Sequence, residues 1–234
     1  MKDNSDIKIL IATDGCESAK DICVVFDVLR ASSVECHLHL VGAKKVFPQE
    51  SVEETLKMKS ENKDVIIFGE REGEKIKGFD FGNSPSEILK NSEKIKDKVC
   101  YHNTTAGTQA FNKCLHCKNV KEVLIASPNN LSATIKYLKK FLGQKTICLV
   151  AAGDMGYCFE DFLVCKYVKS LLLGEKPELT MEQIIEKIKK TTGAKFFKNI
   201  PYYPSIDFEI CFKLDVFDKI LKLIDGEAVK FDVE

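Results

Sequence analysis

Two kinds of segment alternate along most of the chain. Short apolar runs, such as ICVVF at 22–26, DVIIFG at 64–69 and TICLVAAG at 146–153, are each followed by a polar loop and then by a segment of helical period. Strands that are apolar on both sides of the pleat are buried on both faces, as in a mainly parallel sheet between helices. The pattern therefore predicts an α/β protein, a three-layer α/β/α fold with a mainly parallel, mixed central sheet.

The last part of the chain departs from this alternation. A helix predicted in LTMEQIIEKIKKTTG is followed by two short apolar segments, ILKLI and AVKF, with Asp225 and Gly226 between them. An Asp-Gly pair in this position is typical of a tight hairpin turn. We expect a terminal antiparallel hairpin at one edge of the sheet. No linker or repeat divides the chain, so residues 1–234 are predicted to form a single domain.

Charge and composition narrow the class of partner. The chain has 35 Lys plus Arg against 35 Asp plus Glu, a balance that argues against binding to nucleic acid or to an anionic membrane. No apolar run approaches the ~20 residues of a membrane helix, and the polar start MKDNSD does not resemble a signal peptide. We expect a soluble, cytoplasmic protein with reduced thiols and a small-molecule target. A homo-oligomer is compatible with the sequence but not specified by it.

The loop FDVLRASS is the first candidate for chemistry. Asp27 follows an apolar run and should emerge at the end of its strand, while Ser32 and Ser33 lie at the start of the next helix and could cap it. The free N–H groups of a helix start, together with serine hydroxyls, favour a bound anion. Arg30 adds a planar fork that can bind two oxygens of one phosphate, sulfonate or carboxylate.

Two further loops repeat this construction. The stretch HNTTAGTQA offers three hydroxyl groups, those of Thr104, Thr105 and Thr108. Gly107 in the same stretch allows the backbone to approach a ligand closely. In AAGDMGYCFED, Gly153 and Gly156 follow a strand, and Glu160 and Asp161 at the helix start could bind a hard cation such as Mg²⁺. Adjacent helical residues point about 100° apart, so a solvent-facing role for one of them is an equal alternative.

A glycine-rich connection, GEREGEKIKGFDFGNSPSE at 69–87, contains Arg71 and Asn83 and ends in SPSE, a helix-start signature. Arg71 and Arg30 are the only arginines among 35 basic residues. Where lysine suffices for simple charge, a retained guanidinium marks a place where its geometry matters. We interpret the two arginines as binding a substrate with two anionic groups, with a structural salt bridge as the alternative for each.

These segments together resemble the 2-phosphosulfolactate phosphatase family. FDVLRASS, GEREGEKIKGFDFGNSPSE, TTAGTQA, and AAG followed by FED occur in the family's order between about residues 20 and 165. The resemblance implies an α/β/α domain and Mg²⁺-dependent hydrolysis of 2-phosphosulfolactate in coenzyme M biosynthesis. Some members have Asn-Gly and a basic residue where this chain has Ala106, Gly107 and Gln109, so another phosphorylated 2-hydroxy acid stays open as the substrate. A non-catalytic anion-binding or regulatory module is the alternative from a different class.

On this hypothesis Asp27 and Arg30 are catalytic, and Asp27, Glu160 and Asp161 hold Mg²⁺. The groups expected to bind the phosphoryl oxygens are Arg30, Ser32, Ser33, Thr104, Thr105, Gly107 and Thr108. Arg71 and Asn83 are expected to bind the sulfonate or carboxylate. Asp27 is not followed by the second aspartate of the haloacid-dehalogenase motif, which favours direct attack by water over a phospho-aspartate.

Histidine and cysteine positions carry weaker signals. In CLHC at 114–117, packing is favoured over zinc binding because no second cysteine pair follows at zinc-ribbon spacing. His102 ends a predicted strand beside the TTAG loop and could act as a general acid, but a lone histidine is more often structural. We therefore assign neither to the site.

Overall fold

A ten-stranded mixed sheet forms the centre of the fold. The structure is a computed structural model that describes residues 7–12, 16–153 and 158–233. The strands are β1 (Ile7–Ile11), β2 (Asp21–Phe26), β3 (Lys45–Gln49), β4 (Ile66–Arg71), β5 (Glu74–Lys75), β6 (Val99–Asn103), β7 (Val120–Ala126), β8 (Ile147–Ala151), β9 (Ile220–Ile224) and β10 (Glu227–Phe231). Their order across the sheet is β1-β8-β2-β7-β9-β10-β3-β6-β4-β5.

Helices connect the strands and pack on the sheet. They are α1 (Ala31–Leu40), α2 (Val52–Glu61), α3 (Pro85–Lys90), α4 (Ser92–Ile95), α5 (Gly107–Leu115), α6 (Leu131–Lys139), α7 (Phe159–Leu173), α8 (Met181–Lys189) and α9 (Ser205–Cys211). The predicted start of α3 is confirmed, since Ser84 is its N-cap and accepts a hydrogen bond from the N–H of Glu87. Among the described residues, no helix combines the length and the apolar character needed to cross a membrane.

The side chains of β2 alternate between two hydrophobic cores, one on each face of the sheet. Val25 belongs to a core that contains Val34 of α1 and Phe111 of α5. Its neighbour Val24 belongs to a second core with Val164 of α7. A strand buried on both faces needs a layer of helices on each side, and the predicted three-layer α/β/α fold is confirmed.

The sheet consists of two parallel blocks joined by an antiparallel hairpin. In the first block β1, β8, β2 and β7 are parallel, and in the second β3, β6 and β4 are parallel. The hairpin of β9 and β10 turns at Asp225 and Gly226 as predicted, but its expected position at a sheet edge is wrong. β9 pairs with β7 and β10 pairs with β3, which buries three apolar residues of β9 and Ala228 of β10.

The first strand was not predicted from the sequence. IKILI at 7–11 forms the outermost strand of the first block and pairs in parallel with β8. Ile7 is buried, whereas Lys8 and Ile11 are exposed, as is usual for an edge strand with one side open to solvent.

Candidate functional site

Asp27 directly follows β2 and holds the beginning of α1. Its Oδ1 accepts a hydrogen bond from the N–H of Ala31 at 3.0 Å, and its own N–H donates to Oγ of Ser32 at 2.9 Å. The expectation that Ser32 or Ser33 caps α1 is wrong, because both lie inside its first turn and are fully buried. Oγ of Ser33 donates to the carbonyl of Val28 at 3.5 Å. The two serines thus brace the loop that carries Asp27.

Gly107, the first residue of α5, packs directly on Asp27. A Cβ atom at this position would lie 2.5 Å from Oδ2 of Asp27 and 2.4 Å from Cβ of Ala31. The close approach predicted for Gly107 therefore occurs, but the group that it approaches is the Asp27 carboxylate. This contact joins the loop after β2 to the loop after β6.

The three threonines of the second loop have different surroundings. Thr104 and Thr108 are buried and bind each other, each N–H donating to the hydroxyl of the other at 2.9 Å. Thr105 instead donates its N–H to Oε1 of Glu70 at 2.7 Å. Thr104 and Thr108 thus stabilise the turn, whereas Thr105 lies at the surface of a cleft.

Arg30 is held on three sides. Its Nη1 donates to Oδ2 of Asp207 at 2.8 Å, and both side chains are almost completely buried. The guanidinium carbon lies 5.5 Å from the ring centre of Phe196 and 5.1 Å from that of Tyr203. The two interpretations of Arg30, a salt bridge and a cleft residue, both apply, because it also lines the cleft described next.

A cleft of about 240 Å³ brings several of the predicted residues together. Its polar lining includes Asp27, Arg30, Glu70, Asn83, Thr105 and Lys195. An adjoining cleft of about 560 Å³ shares Arg30 and Asn83 with it and adds Lys75 and Lys90. Guanidinium, ammonium and amide donors therefore converge with the carboxylates of Asp27, Glu70 and Glu72.

Arg71 does not line either cleft. It donates to the carbonyl of Glu70 at 2.8 Å and to that of Glu50 at 3.4 Å. β4 and β5 form a hairpin in which Arg71 pairs with Glu74. Glu70, its neighbour on the other face of β4, points to the cleft instead and binds the N–H groups of Thr105 and Gly73.

Burial and neighbouring carboxylates raise the pKa values of Asp27 and Asp161. Burial raises the pKa of Asp27 to about 6, and the charges of Glu70 and Glu160 add to this, against the N–H of Ala31 and the charge of His102. Burial, Glu160 and Asp27 raise the pKa of Asp161 well above its usual value. A concentration of buried negative charge of this kind is relieved by a cation or by protons.

Glu160 and Asp161, both predicted to bind a metal, differ in the hydrogen bonds of their carboxylate oxygens. Oε2 of Glu160 is buried and has no hydrogen-bond partner among the described residues, which fits a role as a metal ligand. Oδ1 of Asp161 accepts the N–H of Val28 at 2.8 Å, so this side chain also holds the Asp27 loop. Within the described part of the chain, no three acidic, histidine or cysteine side chains are grouped closely enough to enclose a metal. Gly156 of the same loop lies outside the described residues.

Several site residues escaped sequence analysis. Glu70 directly precedes Arg71 in β4, and Lys195, Tyr203 and Asp207 lie in the last part of the chain, which carries no distinctive motif. Asp207 also accepts hydrogen bonds from Oγ and N–H groups of the SPSE segment, at 2.9 and 3.0 Å. A buried guanidinium needs an acidic partner, but sequence alone does not say which of 35 acidic residues supplies it.

Fold and site together define an α/β/α protein with a cleft suited to a small anionic ligand. A family model described as 2-phosphosulpholactate phosphatase matches residues 10–226. A protein of Thermotoga petrophila named probable 2-phosphosulfolactate phosphatase is 37% identical over 215 residues, covering 87% of this chain and 89% of that protein. Proteins of the same name from Clostridium perfringens strain SM101 and Clostridium acetobutylicum are 34% and 31% identical, over 94% and 95% of this chain and 94% and 99% of theirs. The chain belongs to the 2-phosphosulfolactate phosphatase family.

Proposed function

We propose that this protein is a phosphoric monoester hydrolase that converts 2-phosphosulfolactate to sulfolactate and inorganic phosphate, with Mg²⁺ as its cofactor, in coenzyme M biosynthesis. Family membership supports the reaction and the substrate. The observation that carries the proposal is the cleft that Asp27 and Arg30 share, since a phosphatase needs an acidic group and a fixed cation at the same phosphoryl group.

Arg30 is suited to bind phosphoryl oxygens. One of its nitrogens is committed to Asp207, and the ring contacts with Phe196 and Tyr203 fix the plane of the guanidinium. Such a pre-oriented group stabilises developing charge without having to reorganise during the reaction. Lys195, 4.5 Å from the ring centre of Tyr203, adds a second cation to the same cleft.

Asp27 is suited to act on the attacking water. Its Oδ1 is fixed by the N–H of Ala31, so the carboxylate has a defined direction. Burial raises its pKa to about 6, so at neutral pH the carboxylate is ionised and can accept a hydrogen bond from the attacking water. Because no second aspartate of the haloacid-dehalogenase motif follows Asp27, direct attack by water is favoured over a phospho-aspartate.

Asp27 and Glu160 would hold Mg²⁺, with Asp161 keeping the Asp27 loop in place. Carboxylate oxygens are the ligands that Mg²⁺ prefers, and waters usually complete its coordination. A bound ion supplies positive charge against the oxygens of the transferring phosphoryl group.

The larger adjoining cleft favours a second candidate substrate class. Its volume of about 560 Å³ and its lysines, Lys75 and Lys90, suit a phosphorylated 2-hydroxy acid with a longer anionic chain. Such a substrate would place its phosphate near Asp27 and its chain beyond Asn83.

The deciding experiment measures phosphate release from 2-phosphosulfolactate, 2-phospholactate and longer phosphorylated 2-hydroxy acids, each with Mg²⁺ and with excess EDTA. We expect the highest kcat/KM for 2-phosphosulfolactate and loss of activity with EDTA. A higher kcat/KM for a longer acid would favour the second class. Thermal stabilisation by these compounds without any phosphate release would contradict hydrolysis and favour a binding module.

A further inference from the structure

A buried chain of three polar side chains leads from helix α1 to the cleft. Nδ1 of His102 lies 2.8 Å from Oε1 of Glu35, and Nε2 of His102 lies 3.1 Å from Oδ1 of Asn83. Glu35 and His102 are completely buried, and Asn83 is 6% exposed. The three residues come from α1, from β6 and from the loop before α3, so the chain ties three separate parts of the fold together.

The direction of each hydrogen bond follows from the partners. A carboxylate oxygen only accepts, so Nδ1 of His102 donates to Glu35. The amide oxygen of Asn83 also accepts, so Nε2 donates as well, and with an acceptor at each nitrogen His102 is an imidazolium ion-paired with the carboxylate of Glu35. With Oδ1 thus occupied, Nδ2 is the side-chain atom of Asn83 left without a hydrogen-bond partner in the described part of the chain, and the side chain lines both clefts.

We propose that Glu35 and His102 are positioning residues that fix the amide of Asn83, so that its Nδ2 donates to an anionic oxygen of the substrate. The proposal rests on the proposed phosphatase function. A free asparagine could turn its oxygen toward the anion, where two acceptors would repel each other. The imidazolium of His102, held by Glu35, excludes that orientation, because its Nε2–H would then face the Nδ2 donor of Asn83.

The buried carboxylate of Glu35 depends on His102 for its hydrogen bonding. Oε2 of Glu35 is buried and has no hydrogen-bond partner among the described residues, so the bond to His102 is the principal compensation for its burial. A core position that only needed filling would take an apolar residue at lower cost. This costly pair therefore indicates a task beyond packing.

Two substitutions of His102 separate positioning from packing. His102→Asn keeps an amide near the place of Nδ1, which preserves the bond to Glu35 and removes the bond to Asn83. His102→Gln keeps an amide near the place of Nε2, which preserves the bond to Asn83 and leaves Glu35 unpaired. We expect His102→Asn to be the more stable variant, with KM for 2-phosphosulfolactate raised about tenfold to a hundredfold and kcat nearly unchanged, as for loss of one hydrogen bond to a charged group.

His102→Gln should be the less stable variant and keep the lower KM. If KM instead follows the melting temperature in both variants, His102 is structural and the proposal is wrong. His37→Gln is the matched control, because His37 is a buried histidine of the same helix α1 whose Nδ1 binds the carbonyl of Ser33. It should lower the melting temperature and leave KM unchanged.

A double-mutant cycle and Asn83→Asp complete the test. If His102 acts through Asn83, His102→Asn should change kcat/KM less than twofold in an Asn83→Ala background, and an undiminished effect there would overturn the proposal. Asn83→Asp keeps an acceptor for His102 and loses the donor, so KM should rise at least tenfold; an unchanged KM would also overturn it.

Should the wild type release no phosphate, the proposed function fails on its own, and the same order of variants is then expected in Kd for sulfolactate measured by calorimetry. Equal Kd values in that assay would overturn the positioning role.

Discussion

Gly107→Ala should damage the site by a contact that can be read from the structure. The new Cβ would lie 2.4 Å from Cβ of Ala31 and 2.5 Å from Oδ2 of Asp27. Carbon atoms in contact normally stay about 3.5–4.0 Å apart, so α5 must move by roughly 1 Å relative to α1, or Asp27 must turn away. Because Oδ1 of Asp27 is bound to the N–H of Ala31, either movement displaces the carboxylate.

The expected magnitudes combine two opposing effects. Overpacking costs about 1–3 kcal/mol, whereas alanine favours a helix over glycine by about 1 kcal/mol. The free energy of unfolding should therefore fall by about 0–2 kcal/mol. A displacement of about 1 Å at the reacting centre lowers the rate on the order of a hundredfold, so kcat should fall far more than stability does.

Initial rates of phosphate release and urea denaturation measure the two effects on the same preparation. Gly174→Ala is the matched control, since Gly174 has a φ of +73° at the end of α7 and open space around a new Cβ. It should lose about 1 kcal/mol of stability through backbone strain and keep full activity. A Gly107→Ala variant with wild-type kcat would refute the contact between α5 and Asp27 as a determinant of the site.

Three other predictions concern charge. Asp207→Ala leaves the buried guanidinium of Arg30 unpaired and should lower the free energy of unfolding by about 3–5 kcal/mol in urea denaturation, whereas an unchanged midpoint would contradict the buried ion pair. Glu160→Gln should raise the Mg²⁺ concentration for half-maximal activity about tenfold without lowering the melting temperature; an unchanged Mg²⁺ requirement would remove Glu160 from the proposed ligands. Burial, with the charge of Lys230, lowers the pKa of His39 from 6.5 to about 4, so only the unfolded chain binds this proton between those values, and stability should fall by about 3 kcal/mol as pH drops from 6.5 to 4. His39→Phe should flatten that part of the stability profile, and an equally steep profile would contradict the assignment.

Local patterns in the sequence were sufficient for most of the fold. The apolar runs fix which segments are strands buried on both faces, and Ser84 with Glu87 fixes the start of α3. The position of the β9–β10 hairpin was not accessible in this way, because the partner of a strand depends on distant segments that the local pattern does not contain.

The candidate site could be predicted where its residues directly follow a strand that the sequence itself indicates. Asp27, Arg30 and Thr105 meet at the cleft as the loop positions suggested. The residue type of Arg71 predicts anion binding, but residues alternate between the faces of a strand, and Glu70 is the one that faces the cleft. Contributions from the last part of the chain, such as Asp207, depend on tertiary contacts alone.

The roles of the buried serines and threonines show a further limit. Ser32 and Thr108 have residue types suited to anion binding, yet their hydroxyl groups bind backbone N–H groups of their own loops. A hydroxyl group serves a turn or a ligand equally well, and only the position of its partners distinguishes these uses.

Asp27→Asn tests the central claim most directly. Asparagine keeps an oxygen that accepts the N–H of Ala31, so the loop and the melting temperature should be preserved. The measurement is phosphate release from 2-phosphosulfolactate at saturating Mg²⁺, with the wild type in parallel. We predict that the wild type releases phosphate and that the folded variant loses at least a thousandfold in kcat, whereas near-normal turnover by the variant would contradict any catalytic role of the cleft at Asp27.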